Sequence, residues 1–218
     1  MHQNKIKVYV IGPQTGYARP ILNSVLVSKM SDADIVVLTG GADVDPRSYS
    51  KKDLASYGDY ERDQYEIAAY KKIRQDQLVM GTCRGAQLLT VLNGGNLIQD
   101  VTDHGIWGTH GMVDKDGNLF QITSLHHQMC YPFDINPAYY DLLMVSEFNR
   151  SKHYIGDGID VSKILEHGEP ELIAYHSPEH PISVAIQGHP EMMENDCDTV
   201  KMFNEVLIKY LNMAKQNG

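Results

Sequence analysis

The sequence has little cysteine, little positive charge and no long apolar run, and each lack excludes something. Three cysteines in 218 residues, at positions 83, 130 and 197, are odd in number and widely spaced, so they make no disulfide framework. Free thiols fit a reducing compartment. Nowhere do 18 apolar residues run together, as a membrane-crossing helix requires. The opening "MHQNKIKVYVIG" has no charged-then-apolar signal segment. The expected location is cytoplasmic, with no membrane partner. Lys+Arg is 19 against 28 Asp+Glu, a formal net charge of −9 with no basic run to reverse it locally. That balance repels phosphate backbones and points away from nucleic acid. Neither CxxC nor HExxH occurs, and in "HSPEH" (176–180) Pro178 separates two histidines that a zinc-binding helix would have to present together. No metal is expected. "GPQTG" (12–16) lacks the lysine and the spacing of a P-loop, so activation of a substrate by ATP is not expected either, and no cofactor is implied.

What is present reads as one soluble domain over residues 1–218. Hydrophobic content is 42% and charged content 22%, both ordinary. A chain of this length buries about 70% of its unfolded surface and needs no staple to fold. "KVYVIG" (7–12), "ADIVVLTGG" (33–41) and "QLVMG" (77–81) read as buried strands. Between and after them, 19–30, 60–76 and 84–93 read as helices, the second with Tyr65, Ala68, Ala69 and Ile73 on its apolar face. Strands alternating with helices predict βαβ units and a parallel sheet. The second half differs. "DKDGN" (114–118) predicts a hairpin turn, 141–148 a strand, and "ELIAYH" with "ISVAIQGH" a second hairpin, before a closing amphipathic helix over 198–214. The fold class is α/β, with antiparallel additions in the C-terminal half.

Chemistry concentrates in "MGTCRGAQLLTVLNGG" (80–95), where Gly81-Thr82-Cys83-Arg84-Gly85 joins a predicted strand to a predicted helix. That is the context of a nucleophile elbow, which strains the backbone and lifts a nucleophile out at the carboxyl end of a strand. A thiol there also meets a helix N-terminus, which favours thiolate. A thiolate needs an acid/base to protonate the leaving amine, and that group needs an orienter. "IQGHPEMM" (186–193) offers His189 and Glu191 at the end of another predicted strand. Strand carboxyl ends gather on one edge of a parallel sheet, where α/β proteins place ligands. "VLTGGADVDP" (37–46) ends a strand in two glycines, so the backbone N–H of Gly41 (or Gly40), with that of Arg84, could form an oxyanion hole.

These residues resemble the class I glutamine amidotransferase superfamily, whose members hydrolyse a γ-glutamyl amide through a thioester with a Cys-His-Glu triad. "TGGADVDPRSY", "ERDQYE", "GTCRGAQLLTVLNGGNLIQDV" and "SLHHQ" look like its γ-glutamyl-γ-aminobutyrate hydrolase (peptidase C26-like) branch. The resemblance implies a three-layer, flavodoxin-like sandwich around a mainly parallel central sheet. It implies Cys83 as nucleophile, His189 as acid/base and Glu191 as its orienter, with Gly41 and Arg84 as oxyanion donors. For the glutamyl group it implies contacts from Gly40, Gln87, Ser124, His126, His127 and Gln128, partly through backbone. Residues 129–168 depart from the family and could shape the acceptor side of the pocket. Three functional readings stay open. They are a free-standing hydrolase of γ-glutamyl amines or peptides, a glutaminase delivering ammonia to a separate synthetase, and a catalytically silent binding or regulatory module. The first two take a small γ-glutamyl substrate; the sequence leaves the oligomeric state open.

Overall fold

The computed structural model describes residues 5–217. The outermost ends of the expected 1–218 domain, and the first four residues of the opening segment, lie outside it. In chain order the strands of the first half are β1 (Ile6–Val10), β2 (Ser24–Leu26), β3 (Ile35–Leu38) and β4 (Leu78–Thr82), with helix α1 (Tyr60–Tyr70) before β4 and α2 (Arg84–Leu92) after it. There follow β5 (Asn96–Ile98), β6 (Asp100–Val101), β7 (Gly108–Asp114), β8 (Leu119–Ser124) and β9 (Met129–Tyr131). Then come β10 (Tyr140–Ser146), β11 (Tyr154–Ile155), α3 (Val161–His167), β12 (Pro170–Tyr175), β13 (Ser183–Ile186) and α4 (Asp198–Asn217).

Among the described residues, nine strands make one sheet in the order β2-β1-β3-β4-β13-β12-β10-β7-β8. The run from β2 to β13 is parallel, and β12, β10, β7 and β8 extend it by antiparallel pairing. Ile35, Val36, Val37 and Leu38 of β3 are all 0% exposed, which explains why that strand reads as an unbroken apolar run. Its alternate residues feed two cores. Ile35 and Val37 pack with Phe203, Leu207 and Tyr210 of α4, whereas Val36 and Leu38 pack with Tyr70 of α1 and Leu88 and Leu89 of α2. The result is three layers, helix–sheet–helix, with the carboxyl ends of β3, β4 and β13 side by side. The Asp114 hairpin forms at its expected place: the Asp114 carboxylate accepts from the N–H groups of Asp116 and Asn118, both at 2.9 Å.

Two expected elements differ. The helix predicted over 19–30 is absent; this stretch carries the short edge strand β2, paired in parallel with β1. Val25 and Val27 favour extended backbone, Asn23 turns the chain at φ 54°, and Asn204 of α4 caps Leu22 through a 2.7 Å hydrogen bond to its N–H. The segment therefore docks on α4 through Asn204 and the buried Ile21, with no helical apolar face. Helix α1 ends at Tyr70 and is rotated from its predicted phase: Tyr65 is 62% exposed while Asp63 and Glu66 are buried. The reason is electrostatic and lies in the site.

Candidate active site

Cys83 occupies the single-residue turn between β4 and α2, with φ 52° and ψ −110°. A side-chain-bearing residue in such a conformation stores on the order of 1–3 kcal/mol. The flanking glycines make the turn possible. A Cβ on Gly81 would lie 2.5 Å from the Gly85 carbonyl, and one on Gly85 would lie 2.3 Å from the Leu38 oxygen. The backbones of β3, β4 and α2 thus approach too closely for any side chain. The Cys83 N–H donates to the Ile186 oxygen at 2.9 Å, tying the turn to β13. The thiol stands at the N-terminus of α2, where unpaired N–H groups and the helix dipole favour an anion.

Beyond β13 the chain passes tightly against β8: a Cβ on Gly188 would sit 2.3 Å from Ile122 and 2.5 Å from the Thr123 oxygen. His189 is then held by its backbone, its N–H donating to the Thr123 oxygen (3.1 Å) and its carbonyl accepting from the Thr123 hydroxyl (2.6 Å). Pro190 starts a short 3-10 turn that folds Glu191 back, placing its Oε1 2.7 Å from His189 Nδ1. Burial would lower the His189 pKa. The Cys83 thiol and the Glu191 carboxylate beside the ring outweigh it and raise the pKa to about 10, which favours the imidazolium at neutral pH. Cys83 follows β4 and His189 follows β13, so the paired carboxyl ends of these two strands bring Cys83, His189 and Glu191 to one edge of the sheet.

The Thr39-Gly40-Gly41 loop closes the third side. A Cβ on Gly40 would lie 2.6 Å from the Tyr17 hydroxyl and 3.3 Å from His189 Cε1; one on Gly41 (φ 145°) would lie 2.1 Å from Arg62 Nη1. Arg62 donates through Nη2 to Thr39 Oγ1 and to the Gly40 oxygen, each at 3.0 Å. The Gly41 N–H has no backbone acceptor among the described residues. Arg84 opens α2, so its N–H has no intrahelical acceptor. The Arg84 side chain points into the protein, where Asp63 and Glu66 both bind its guanidinium, and Glu66 also accepts from Arg62 Nε at 2.9 Å. That buried Arg62–Glu66–Arg84–Asp63 chain is why α1 turns acidic residues inward. Tyr17, Arg62, Asp63 and Glu66 escape an apolar-periodicity reading, although two carboxylates three apart in "ERDQYE" offer a signal. Burial, then the Glu191 and Cys83 charges, push the Tyr17 pKa up to about 12, so the ring over His189 keeps its proton.

The expected substrate contacts are placed unevenly. Gln87 donates through Nε2 to the Gln128 oxygen at 2.7 Å. Gln128 accepts from the Val44 N–H (3.1 Å) and donates to the Ser56 hydroxyl (3.0 Å). Ser124 donates to the His104 oxygen, and the His126 ring, 3.0 Å through Nδ1 from the Gln128 oxygen, is buried. Only His127 is open, 41% exposed in its side chain between Asp43 (3.1 Å) and Asp100 (3.3 Å), with its pKa raised by the hydrogen bond to Asp43 above all. The segment 124–128 is therefore left with His127 and backbone groups to offer a ligand. Behind it, His104, His110, His126 and Glu171 crowd together, a cluster nothing in the linear sequence announces. Cys130 is buried, which drives its pKa up to about 12, and its sulfur lies 3.1 Å from Gln187 Oε1.

The Peptidase C26 family model matches residues 20–191. The chain belongs to this family. This Peptidase C26 member is 34% identical over 118 residues to the glutamine amidotransferase-like protein YvdE homolog of Lactococcus lactis subsp. cremoris, covering 44% of this chain and 63% of the relative. A Mycobacterium tuberculosis protein named as a glutamine amidotransferase is 27% identical over 191 residues, covering 83% of this chain and 58% of its own length. The chain therefore spans less than two thirds of these curated relatives. Its fold matches that of a Thermotoga maritima glutamine amidotransferase with a TM-score of 0.52 at 13% identity, covering 99% of this chain and 95% of the other. Family, relatives and fold together put the chain in the class I glutamine amidotransferase-like superfamily. Among the described residues, no helix is long and apolar enough to cross a membrane.

Proposed function

We propose that this Peptidase C26 protein is a cysteine amidohydrolase that cleaves a γ-glutamyl amide through a glutamyl-thioester. The observation that carries the reading is His189, its Nδ1 2.7 Å from Glu191 Oε1 and its ring near enough to the Cys83 thiol for thiol and carboxylate together to shift its pKa upward. In this reading the Cys83 thiolate attacks the amide carbonyl, forming the C–S bond while the carbonyl oxygen takes up the negative charge. The N–H groups of Gly41 and Arg84 receive that oxyanion, each such donor contributing on the order of 2.7–4 kcal/mol in the transition state. His189, already protonated, delivers its proton to the amine nitrogen as the C–N bond breaks, and Glu191 steadies the ring. Neutral His189 then draws a proton from water, which attacks the thioester and releases glutamate and the thiolate. His127 and the backbone of 124–128 are assigned to the α-amino and α-carboxylate groups of the glutamyl moiety. Residues 129–168 are assigned to the side of the leaving amine.

The test measures ammonia or amine release from glutamine and from a panel of γ-glutamyl amines, wild type beside Cys83→Ala. The expected result is turnover by the chain alone on at least one γ-glutamyl amine, with loss of about 10⁶-fold in kcat for the alanine variant, as for the nucleophile of a comparable triad. Wild-type turnover by Cys83→Ala would end the proposal. Turnover of glutamine alone, slow and unaffected by the amine panel, would favour a glutaminase that supplies ammonia to a separate synthetase.

A further inference from the structure

The side chains of the buried His104–His110–His126–Glu171 cluster take no part in the proposed triad or oxyanion hole, and they come from four separate stretches of chain. His104 precedes β7, His110 lies on it, His126 follows β8, and Glu171 lies on β12. One donor atom from each residue lies within 4.8 Å of every other, and all four residues are buried. His110 Nε2 is 3.2 Å and His104 Nδ1 3.6 Å from Glu171 Oε1. Those separations straddle the edge of about 3.3 Å in a tetrahedron of ligands 2.0–2.1 Å from a zinc ion.

The outward-facing nitrogens decide what faces inward. His104 Nε2 lies 3.0 Å from Glu169 Oε2. Glu169 also accepts from the Arg150 and Ser151 N–H groups and from the Tyr154 hydroxyl, at 2.8–2.9 Å. His110 Nδ1 faces the Gly111 oxygen and His126 Nδ1 the Gln128 oxygen, both at 3.0 Å. Each of these partners is an acceptor, so each ring carries its hydrogen on the outer nitrogen and turns a lone pair inward. The inner atoms His104 Nδ1, His110 Nε2, His126 Nε2 and both Glu171 oxygens have no hydrogen-bond partner among the described residues. A proton on Glu171 would satisfy one of the three lone pairs and leave two buried and unpaired. One cation among them satisfies all three together with the carboxylate.

We propose that these four residues bind one structural divalent cation, zinc by preference, with His104 Nδ1, His110 Nε2, His126 Nε2 and a Glu171 oxygen as ligands. Imidazole and carboxylate are both zinc donors. Because the protein fills all four positions, none is left for a reactive water, which makes the role structural although the donor set lacks the usual thiolates. Glu169 behind His104 supplies the carboxylate that orients a ligating histidine. This proposal departs from the expectation of no metal: its ligands lie 6, 16 and 45 positions apart in the chain, which no short spacing rule detects. Its consequence is positional. The Gln128 oxygen takes both the His126 ring and the Gln87 side chain, so the ion would pin the 124–128 segment to the helix that carries the elbow.

The experiment uses the full chain with Cys83→Ser, so that zinc held by the catalytic thiol is not counted. After stripping with chelator, zinc is added and bound metal is measured by plasma mass spectrometry; cobalt is added separately and its visible spectrum recorded. The expected results are one zinc per chain and the intense absorption of tetrahedral cobalt. Glu169→Gln keeps all four ligands and should weaken zinc binding by about 10–100-fold with the circular dichroism unchanged. Folded Cys83→Ser protein that takes up no stoichiometric zinc would overturn the proposal. So would zinc affinity unchanged in both Glu169→Gln and His110→Asn, which would place the bound ion elsewhere.

Discussion

Glu66→Gln tests whether the ion chain behind the elbow sets the stability of this fold. Glu66 is 2% exposed and serves two cations, Arg62 through Nε at 2.9 Å and the fully buried Arg84. Removing one partner of a buried ion pair costs about 3–5 kcal/mol when the remaining charge is left uncompensated. Arg84 keeps Asp63, and the glutamine oxygen still accepts one hydrogen bond, so the expected loss falls below that range, about 2–3 kcal/mol. Urea unfolding followed by circular dichroism measures it directly. Gln64→Ala, on the exposed face of the same helix, is the control and should stay within about 0.5 kcal/mol. Because Glu66 also steadies Arg62, which holds the Gly40 carbonyl at 3.0 Å, kcat on any γ-glutamyl substrate should fall as well. A Glu66→Gln protein as stable as the Gln64→Ala control would refute the reasoning.

Gly85→Ala places a methyl carbon 2.3 Å from the Leu38 oxygen, so overpacking should cost about 1–3 kcal/mol and displace the elbow, read as a lower unfolding midpoint and a lower kcat. Glu191→Gln should retain the fold and lower kcat by about 10²–10⁴-fold, since the amide cannot support the imidazolium that the carboxylate holds at 2.7 Å; an unchanged kcat would contradict Glu191 as orienter. His127→Gln should matter more for stability at pH 5.5 than at pH 9. The folded His127 pKa is raised, so its contribution is complete below the unfolded value of about 6.5 and vanishes as pH rises through the folded value. With its side chain 41% exposed the effect should stay under about 1 kcal/mol, and a larger deficit at pH 9 would reverse the assignment.

The parts of this molecule that were legible in the sequence are those whose physics is local. The Gly81–Gly85 spacing follows from how closely three backbones pass at one turn, and the Asp114 hairpin from a carboxylate that bonds the turn beside it. Helix–sheet layering followed from fully apolar runs such as Ile35–Leu38. What escaped was set by distant partners. The expected helix at 19–30 gave way to an edge strand because β1 was free to pair and Asn204 reached across from α4. The phase of α1 was missed because apolar periodicity assumes a greasy interior face, whereas here Arg84, from the next helix, demands two carboxylates. The histidine–glutamate cluster was invisible for the same reason: the antiparallel half of the sheet assembles it from residues as far apart as His104 and Glu171.

The central claim is that the chemistry passes through a covalent bond to Cys83. A rapid acid quench of the enzyme turning over a γ-glutamyl amine, followed by peptide mapping under acidic conditions, tests it most directly. A glutamyl adduct on the peptide carrying Cys83, absent from Cys83→Ala and accumulating when Glu191 is replaced by Gln, is the predicted result. An adduct on Cys130 or Cys197, or sustained turnover with no acylated cysteine at any quench time, would contradict the account.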